Sequence, residues 1–460
     1  MSTFSPTQFA TVLDSSLPPA FGGKLCVAFS GGLDSTVLLH ALASLRERRP
    51  DWSLRAVHVD HQLQAASASW AERCIAVAKR LGVALLVEKV TIARDHADGL
   101  EAAAREARYR VLRRLLEHGE VLLTAHHADD QLETVLLALM RGAGLQGLAA
   151  MPVCAPFACG WQVRPLLGFT RAQLTQWADA SRIEAIDDPS NFDPRHDRNY
   201  LRHEVLPVLR RRWPAAASNA VRSTRHLADA MLLVDAQAVD DLSACAVGAC
   251  LDVARLRVLD GVRRRNLIRY WLRLRGFDAP STRKLAALEH DMFHAAADRN
   301  PVVSWSGVVV QRHRGLLYAT PPQSVDAACQ HAWDRREPLP LSCGALRFEA
   351  IEPSIAVRGF ALSKLPTHVT VRYRSDGDSI RPAGGAHRRR LKKLLQEWDV
   401  LPWWRDRLPI ICSGNEVIAI ADLCIAHEFA AVPGEAAVRI VWDGKPGVLA
   451  EKNAARTRND

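Results

Sequence analysis

The spacing of four short apolar runs constrains this chain more than any other feature. Residues 25–29, 54–59, 84–90 and 121–125 begin about 30 residues apart, with helical periodicity at 71–81 and 100–116 between them. Successive βα units give this repeat, so the expected fold is α/β with a doubly wound parallel sheet. Ligands of such sheets sit beyond the carboxyl ends of the strands. The residues that follow each run are therefore the ones to inspect.

The first run leads into S-G-G-L-D-S, and apolar Val37, Leu38 and Ala41 follow at helical spacing. A glycine-rich turn that opens a helix offers free amides and close backbone approach to an anion. No Lys follows the glycines, so this is not the Walker pattern. Ser30, Gly31, Gly32, Leu33, Asp34 and Ser35 are candidates for holding the phosphates of ATP. The two serines would donate hydroxyls and Asp34 would hold magnesium. A simpler role also fits: Ser30 as an N-cap, the glycines as a tight turn, Asp34 as a complement to the helix dipole.

The second run ends in V-H-V-D-H, and the fourth leads into H-H-A-D-D-Q-L-E-T at 126–134. Asp129, Asp130 and Glu133 are candidates for ligating magnesium or serving as a base. Alternatively, Asp130 N-caps a helix over 131–140 and Glu133 closes a capping box, which leaves His126, His127 and Asp129 unexplained. Neither a Cys nor a third His stands at zinc-ligand spacing. Upstream, Glu101, Arg105, Arg108 and Tyr109 fall on neighbouring helical turns, a pattern that a solvated, salt-bridged face also shows. R-G-A-G-L-Q-G-L at 141–148 reads as a flexible loop.

Sixty Lys and Arg against 50 Asp and Glu give a net charge of +10, which suits a partner rich in phosphate. Two segments concentrate that charge. One is the polar, turn-rich stretch 187–202, with Arg195, Arg198 and Arg202. The other is H-R-R-R-L-K-K at 387–393, with Arg388, Arg389, Arg390, Lys392 and Lys393. Trp398, Trp403 and Trp404 follow the second; they suit stacking on unpaired bases or a place in the core. The ten cysteines include no C-x-x-C pair and read as small buried hydrophobes. No run is long enough to span a membrane and residues 1–24 do not resemble a signal peptide, so a cytoplasmic location without a membrane partner is expected.

A length of 460 residues suggests two or three domains. The expected division is a nucleotide-binding domain over 1–215, a helical accessory domain over 216–325, a small αβ domain over 330–445 and a disordered tail over 446–460.

The motif S-G-G-L-D-S resembles the pyrophosphate loop of the N-type ATP pyrophosphatases. The wider set is similar to the tRNA(Ile)-lysidine synthetases: V-H-V-D-H, E-A-A-A-R-E-A-R-Y, A-H-H-A-D-D-Q-L-E-T, R-G-A-G-L-Q-G-L, R-P-L-L, D-P-S-N with R-N-Y-L-R, R-S-D-G-D and L-K-K-L-L-Q-E. The resemblance covers most of 20–215 and about 370–430, with one minor departure, Gln62 in place of a frequent glycine. It implies an ATP- and magnesium-dependent ligase that forms a carbon–nitrogen bond. Carbon 2 of the wobble cytidine of tRNA(Ile) with a CAU anticodon would be adenylated at its oxygen and then joined to free L-lysine. AMP and pyrophosphate would leave, and codon reading would change from AUG to AUA. The resemblance also implies catalytic roles for Asp34, Asp129, Asp130 and Glu133, with Arg105 near the lysine or nucleotide; a homodimer is compatible with it. Three rivals fit less well. A tRNA thiolase of the same superfamily usually carries cysteine pairs, a metabolite synthetase does not account for the basic C-terminal half, and a non-catalytic RNA binder does not account for the acidic cluster.

Overall fold

Strands form where the apolar runs place them: β1 (Lys24–Ala28), β2 (Ser53–Asp60), β3 (Ala84–Lys89) and β4 (Val121–Leu123). They are seen in a computed structural model that describes residues 4–443 except 64–66, 93–98, 187–196, 297–298, 323–328, 343 and 353–358. Two strands that the sequence pattern did not disclose, β5 (Cys154–Phe157) and β6 (Gly160–Val163), form a hairpin. The sheet order is β3-β2-β1-β4-β6-β5, parallel throughout except for the β5 edge.

The helices of this unit are α1 (Pro6–Ser16), α2 (Leu33–Leu45), α3 (Ser67–Arg80), α4 (Gly99–Leu115), α5 (Ala128–Met140), α6 (Leu145–Leu148) and α7 (Arg171–Ala180). Because α2 is apolar on nearly every side it can only be buried. Val37, Leu38 and Leu39 are fully inaccessible and pack with Leu25, Val27 and Leu123 of the sheet. At roughly 2 kcal/mol for each buried aliphatic side chain, this packing fixes the start of α2 against the end of β1. The stretch expected as a loop at 141–148 contains the single turn of α6.

Beyond α7 come α8 (Asp197–Tyr200), a π-helical turn over Leu201–Val205 and α9 (Leu206–Arg212). The 30-residue α10 (Ala216–Cys245) follows and runs across the boundary between two units, Met1–Ala236 and Gln237–Asp460.

The second unit contains the expected helices, Val253–Val258, Gly261–Leu274 and Thr282–His294. It adds a five-stranded antiparallel sheet built from Ala246–Val247, Cys250–Asp252, Leu316–Thr320, Val308–His313 and Val302–Trp305. These strands are too short for their alternation to stand out from helical periodicity. Two further antiparallel sheets surround helix Leu391–Glu397, whose Leu391, Leu394 and Leu395 join the core. The tail expected over 446–460 lies outside the described residues. Among the described residues no helix is long and apolar enough to cross a membrane.

Candidate active site

The turn from β1 into α2 is shaped by Gly31. Its φ is +84°, and a Cβ there would lie 2.7 Å from both Cys74 Sγ and Ile186 Cδ1. Gly32, not Ser30, is the N-cap of α2, and having no side chain it leaves the first-turn amides uncapped. The Ser30 and Ser35 hydroxyls lie 3.0 Å apart, and Ser35 Oγ donates to the Gly32 carbonyl at 3.0 Å. Thr36 Oγ1 donates to the carbonyls of Gly31 and Gly32 at 3.1 and 2.9 Å, pinning the turn from beneath.

Ser30, Gly32, Asp34 and Ser35 line a cavity of about 540 Å³, together with His61 and His126. The simpler reading of Asp34 as a dipole complement does not account for its geometry. Its Oδ2 is 3.6 Å from His127 Nε2, while its buried Oδ1 has no hydrogen-bond partner. A buried acceptor left unpaired costs about 1–3 kcal/mol, which a bound group would offset. Magnesium takes one or two carboxylates and completes its shell with phosphate oxygens and water, so this donor fits it. No group of three or more His, Cys, Asp and Glu suited to a metal occurs among the described residues. That pattern suits an ion held largely by its substrate.

The capping box of α5 lies three residues upstream of the expected one. His127 is the N-cap: its Nδ1 accepts the Asp130 amide at 3.3 Å, and Asp130 Oδ2 accepts the His127 amide at 3.0 Å. Glu133 takes no part in it. Instead, Glu133 is gripped by Arg198 Nε at 3.1 Å and by Arg202 through Nε at 2.8 Å and Nη2 at 3.0 Å. Arg202 also reaches Asp130 Oδ1 at 3.2 Å. Asp129 accepts the Arg171 amide and Arg210 Nη2, both at 2.6 Å. All three carboxylates are thus engaged, and the structure uses Arg198 and Arg202 to tie α8 and the π-turn to α5. Arg210 and Arg171 were not singled out from the sequence, because nothing local marks a partner 81 or 42 residues away. Arg195 lies outside the described residues.

Electrostatics separate the histidines. Burial lowers the pKa of His127, but Asp130, Asp34 and Asp129 around it outweigh burial and hold it above the usual value. The long cap contact needs a lone pair on Nδ1, so the imidazolium form gives up the cap and gains the carboxylates. Burial raises the Asp130 pKa, yet His127, His126 and the His127 amide together pull it below the ordinary range. His61 is pushed down to about 4, chiefly by burial and then by Arg108 and His58. His126 falls to about 3, again chiefly by burial, with Asp130 opposing and Arg164 assisting. Both cavity histidines are therefore neutral. Arg105 is exposed and lies over the Tyr109 ring, 5.0 Å from its centroid, while Arg108 and Tyr109 line the cavity.

In the second unit Arg388, Arg389, Arg390, Lys392 and Lys393 are all exposed. Arg388 pairs with Glu416 and Arg389 with Glu397. Among the described residues no carboxylate pairs with Arg390, Lys392 or Lys393. The tryptophans are core elements rather than stacking platforms: Trp404 is 1% exposed, and Trp403 packs edge-on against Tyr318 at 5.2 Å.

The parallel sheet, the uncapped α2 and its serine-lined cavity define a PP-loop ATP-binding enzyme. The family model described as "PP-loop domain" matches residues 6–209. Models described as "TilS substrate binding domain" and "TilS substrate C-terminal domain" match 251–318 and 369–442. Curated tRNA(Ile)-lysidine synthases match nearly end to end. That of Coxiella burnetii is 40% identical, covering 92% of this chain and 93% of its own. That of Methylococcus capsulatus is 41% identical over 92% and 96%, and that of Alkalilimnicola ehrlichii 42% over 91% and 93%. The chain belongs to the tRNA(Ile)-lysidine synthase family, whose members are ATP-dependent ligases.

Proposed function

We propose that this chain adenylates the carbon-2 oxygen of the wobble cytidine in tRNA(Ile) with a CAU anticodon and then joins L-lysine to that carbon, in the cytoplasm, so that the tRNA reads AUA instead of AUG. The observation that carries this reading is the uncapped start of α2, where two serine hydroxyls and an unpaired Asp34 oxygen face one cavity. In the first step the carbon-2 oxygen bonds to the α-phosphorus of ATP and the bond from that phosphorus to the bridging oxygen breaks. The Ser30 and Ser35 hydroxyls and the first-turn amides of α2 receive the departing pyrophosphate. Asp34 would hold magnesium, which when bound offsets charge on the phosphates.

In the second step the lysine amine attacks carbon 2, the carbon–oxygen bond breaks and AMP leaves. With a free pKa of about 10.4, the amine arrives protonated and must lose a proton first. Asp130 has 14% of its side chain exposed, against 6% for Asp129 and 1% for Glu133. It is therefore the carboxylate that an amine can reach, and its depressed pKa suits a fixed negative charge that orients the ammonium. Asp129 and Glu133 hold the arginines that fasten the neighbouring segment. The exposed Arg390, Lys392 and Lys393 supply phosphate contacts for the tRNA.

Mass spectrometry of the anticodon nucleosides after incubation with ATP, lysine and tRNA(Ile) tests the proposal. Cytidine should gain lysine with loss of water, and unmodified cytidine in the presence of active ATP turnover would overturn it.

A further inference from the structure

Gln162 on β6 is 5% exposed, and Arg164 beyond it is 9% exposed. The Gln162 amide meets three neighbours. Its Oε1 accepts from Arg164 Nη2 at 2.7 Å, and its Nε2 lies 3.3 Å from both Tyr109 Oη and Thr124 Oγ1. An amide can in principle be turned over, but a guanidinium has only donors. Turning this one would set its NH₂ against Arg164, so Arg164 fixes the orientation. Arg164 is itself held by the Pro152 carbonyl at 2.8 Å.

The direction of each later bond follows. Gln162 donates to Thr124 Oγ1, so the threonine proton is free to donate onward. The Thr124 hydroxyl lies 3.0 Å from His126 Nδ1, which therefore accepts. A neutral imidazole that accepts at Nδ1 carries its proton on Nε2. His126 lines the cavity beside the phosphate turn.

We propose that Gln162 is a positioning residue of the nucleotide site, and that its amide, oriented by Arg164, imposes the Nε2–H tautomer on His126 through Thr124. His126 then offers the cavity a hydrogen-bond donor without a charge, suited to a phosphate oxygen or to the oxygen being adenylated. The same amide holds Tyr109, on whose ring Arg105 rests. The catalytic use of this donor rests on the ATP-dependent reading above; the tautomer does not.

Histidine-selective ¹⁵N labelling of the full chain tests the proposal, with the His126 signals assigned by their loss in His126→Gln. The expected result is an unprotonated Nδ1 and a protonated Nε2. Gln162→Glu still accepts from Arg164 but cannot donate to Thr124. The threonine proton then turns to the carboxylate, and the His126 proton should move to Nδ1. Thr124→Ser should keep the original tautomer, and Thr124→Val should lose the preference while preserving shape. Removing one well-placed donor costs up to ~100-fold in turnover, so Gln162→Glu should lower kcat for pyrophosphate release by roughly tenfold or more with little change in KM for ATP. A wild-type Nδ1–H signal, or a tautomer unchanged in Gln162→Glu with its thermal transition intact, would overturn the assignment. A tautomer that switches without any change in turnover would retain the relay but remove the donor from the reaction.

Discussion

Arg202 reaches 69 residues back along the chain to grip both oxygens of Glu133, Nε on Oε1 at 2.8 Å and Nη2 on Oε2 at 3.0 Å. Glu133 is 1% exposed, so this is a buried ion pair in which each side depends on the other. Removing one partner from such a pair costs about 3 kcal/mol, less whatever Arg198 retains. Arg202→Ala should lower the urea midpoint accordingly, with the slope unchanged. Arg202→Lys should recover less than half, because a point charge cannot reproduce the fork. A loss below ~0.5 kcal/mol would mark the pair as solvent-screened.

Asp34→Ala separates chemistry from folding. The unpaired Oδ1 makes no contact that folding needs, so stability should change by less than about 1 kcal/mol. Pyrophosphate release should fall by ~100-fold or more, with tRNA affinity nearly unchanged. Wild-type release by the variant would remove Asp34 from the phosphate site.

Gly31→Ala should be costly for two reasons. The +84° φ strains any side-chain-bearing residue, and the new methyl meets Cys74 and Ile186. Strain and overpacking together should cost roughly 2–4 kcal/mol. Adding Cys74→Ala should recover only part of this, since the backbone strain and the Ile186 contact remain. Full recovery in the double variant's thermal melt would show that the sulfur alone was the obstacle.

The pH dependence of stability should carry the signature of the neutral histidines. His61 titrates near 4 in the folded chain and about 6.5 when unfolded. Its contribution is therefore complete above about 6.5 and is lost as pH falls towards 4, where the unfolded chain takes a proton that the folded one refuses. His126 acts in the same sense. His127, whose pKa is raised, acts in the opposite sense: its contribution is present below about 6.5 and fades as pH rises past the folded value. Proton uptake on urea unfolding between pH 4.5 and 6.5 should be smaller by up to one proton in His61→Gln. An unchanged uptake would show that His61 is solvated.

For tRNA affinity, the cations without a described carboxylate partner should matter more than the paired ones. Replacing Arg390, Lys392 and Lys393 together with Ala should flatten the slope of log K against log salt by roughly two to three units. Arg388→Ala with Arg389→Ala should flatten it less, since Glu416 and Glu397 already neutralise that pair. ATP affinity should stay constant in both. An unchanged slope in the triple variant would mean that this surface does not meet RNA.

The parallel sheet and phosphate turn are legible in the sequence because their signals are local: apolar runs at regular intervals and a glycine-serine turn between strand and helix. The roles of Asp129, Asp130 and Glu133 are not, because they are set by arginines 64 to 81 residues further along. Trp404 shows the same limit in reverse. Its basic neighbours in sequence suggest a nucleic-acid surface, yet its side chain belongs to the core. Gln162 is the hardest to see, a lone polar residue in a four-residue strand whose meaning comes entirely from Arg164, Tyr109 and Thr124.

The reach of Arg198, Arg202 and Arg210 back to α5 also limits how this enzyme can be dissected. A fragment ending at residue 196 would retain every strand of the parallel sheet and the whole phosphate turn, and by secondary structure alone it is a complete nucleotide-binding cassette. It would nevertheless leave three carboxylates without their arginines close to Asp34, a concentrated negative field set against a polyanionic substrate. The nucleotide-binding core is therefore not a transplantable module: its charge balance is completed only by chain that follows the last strand of its sheet.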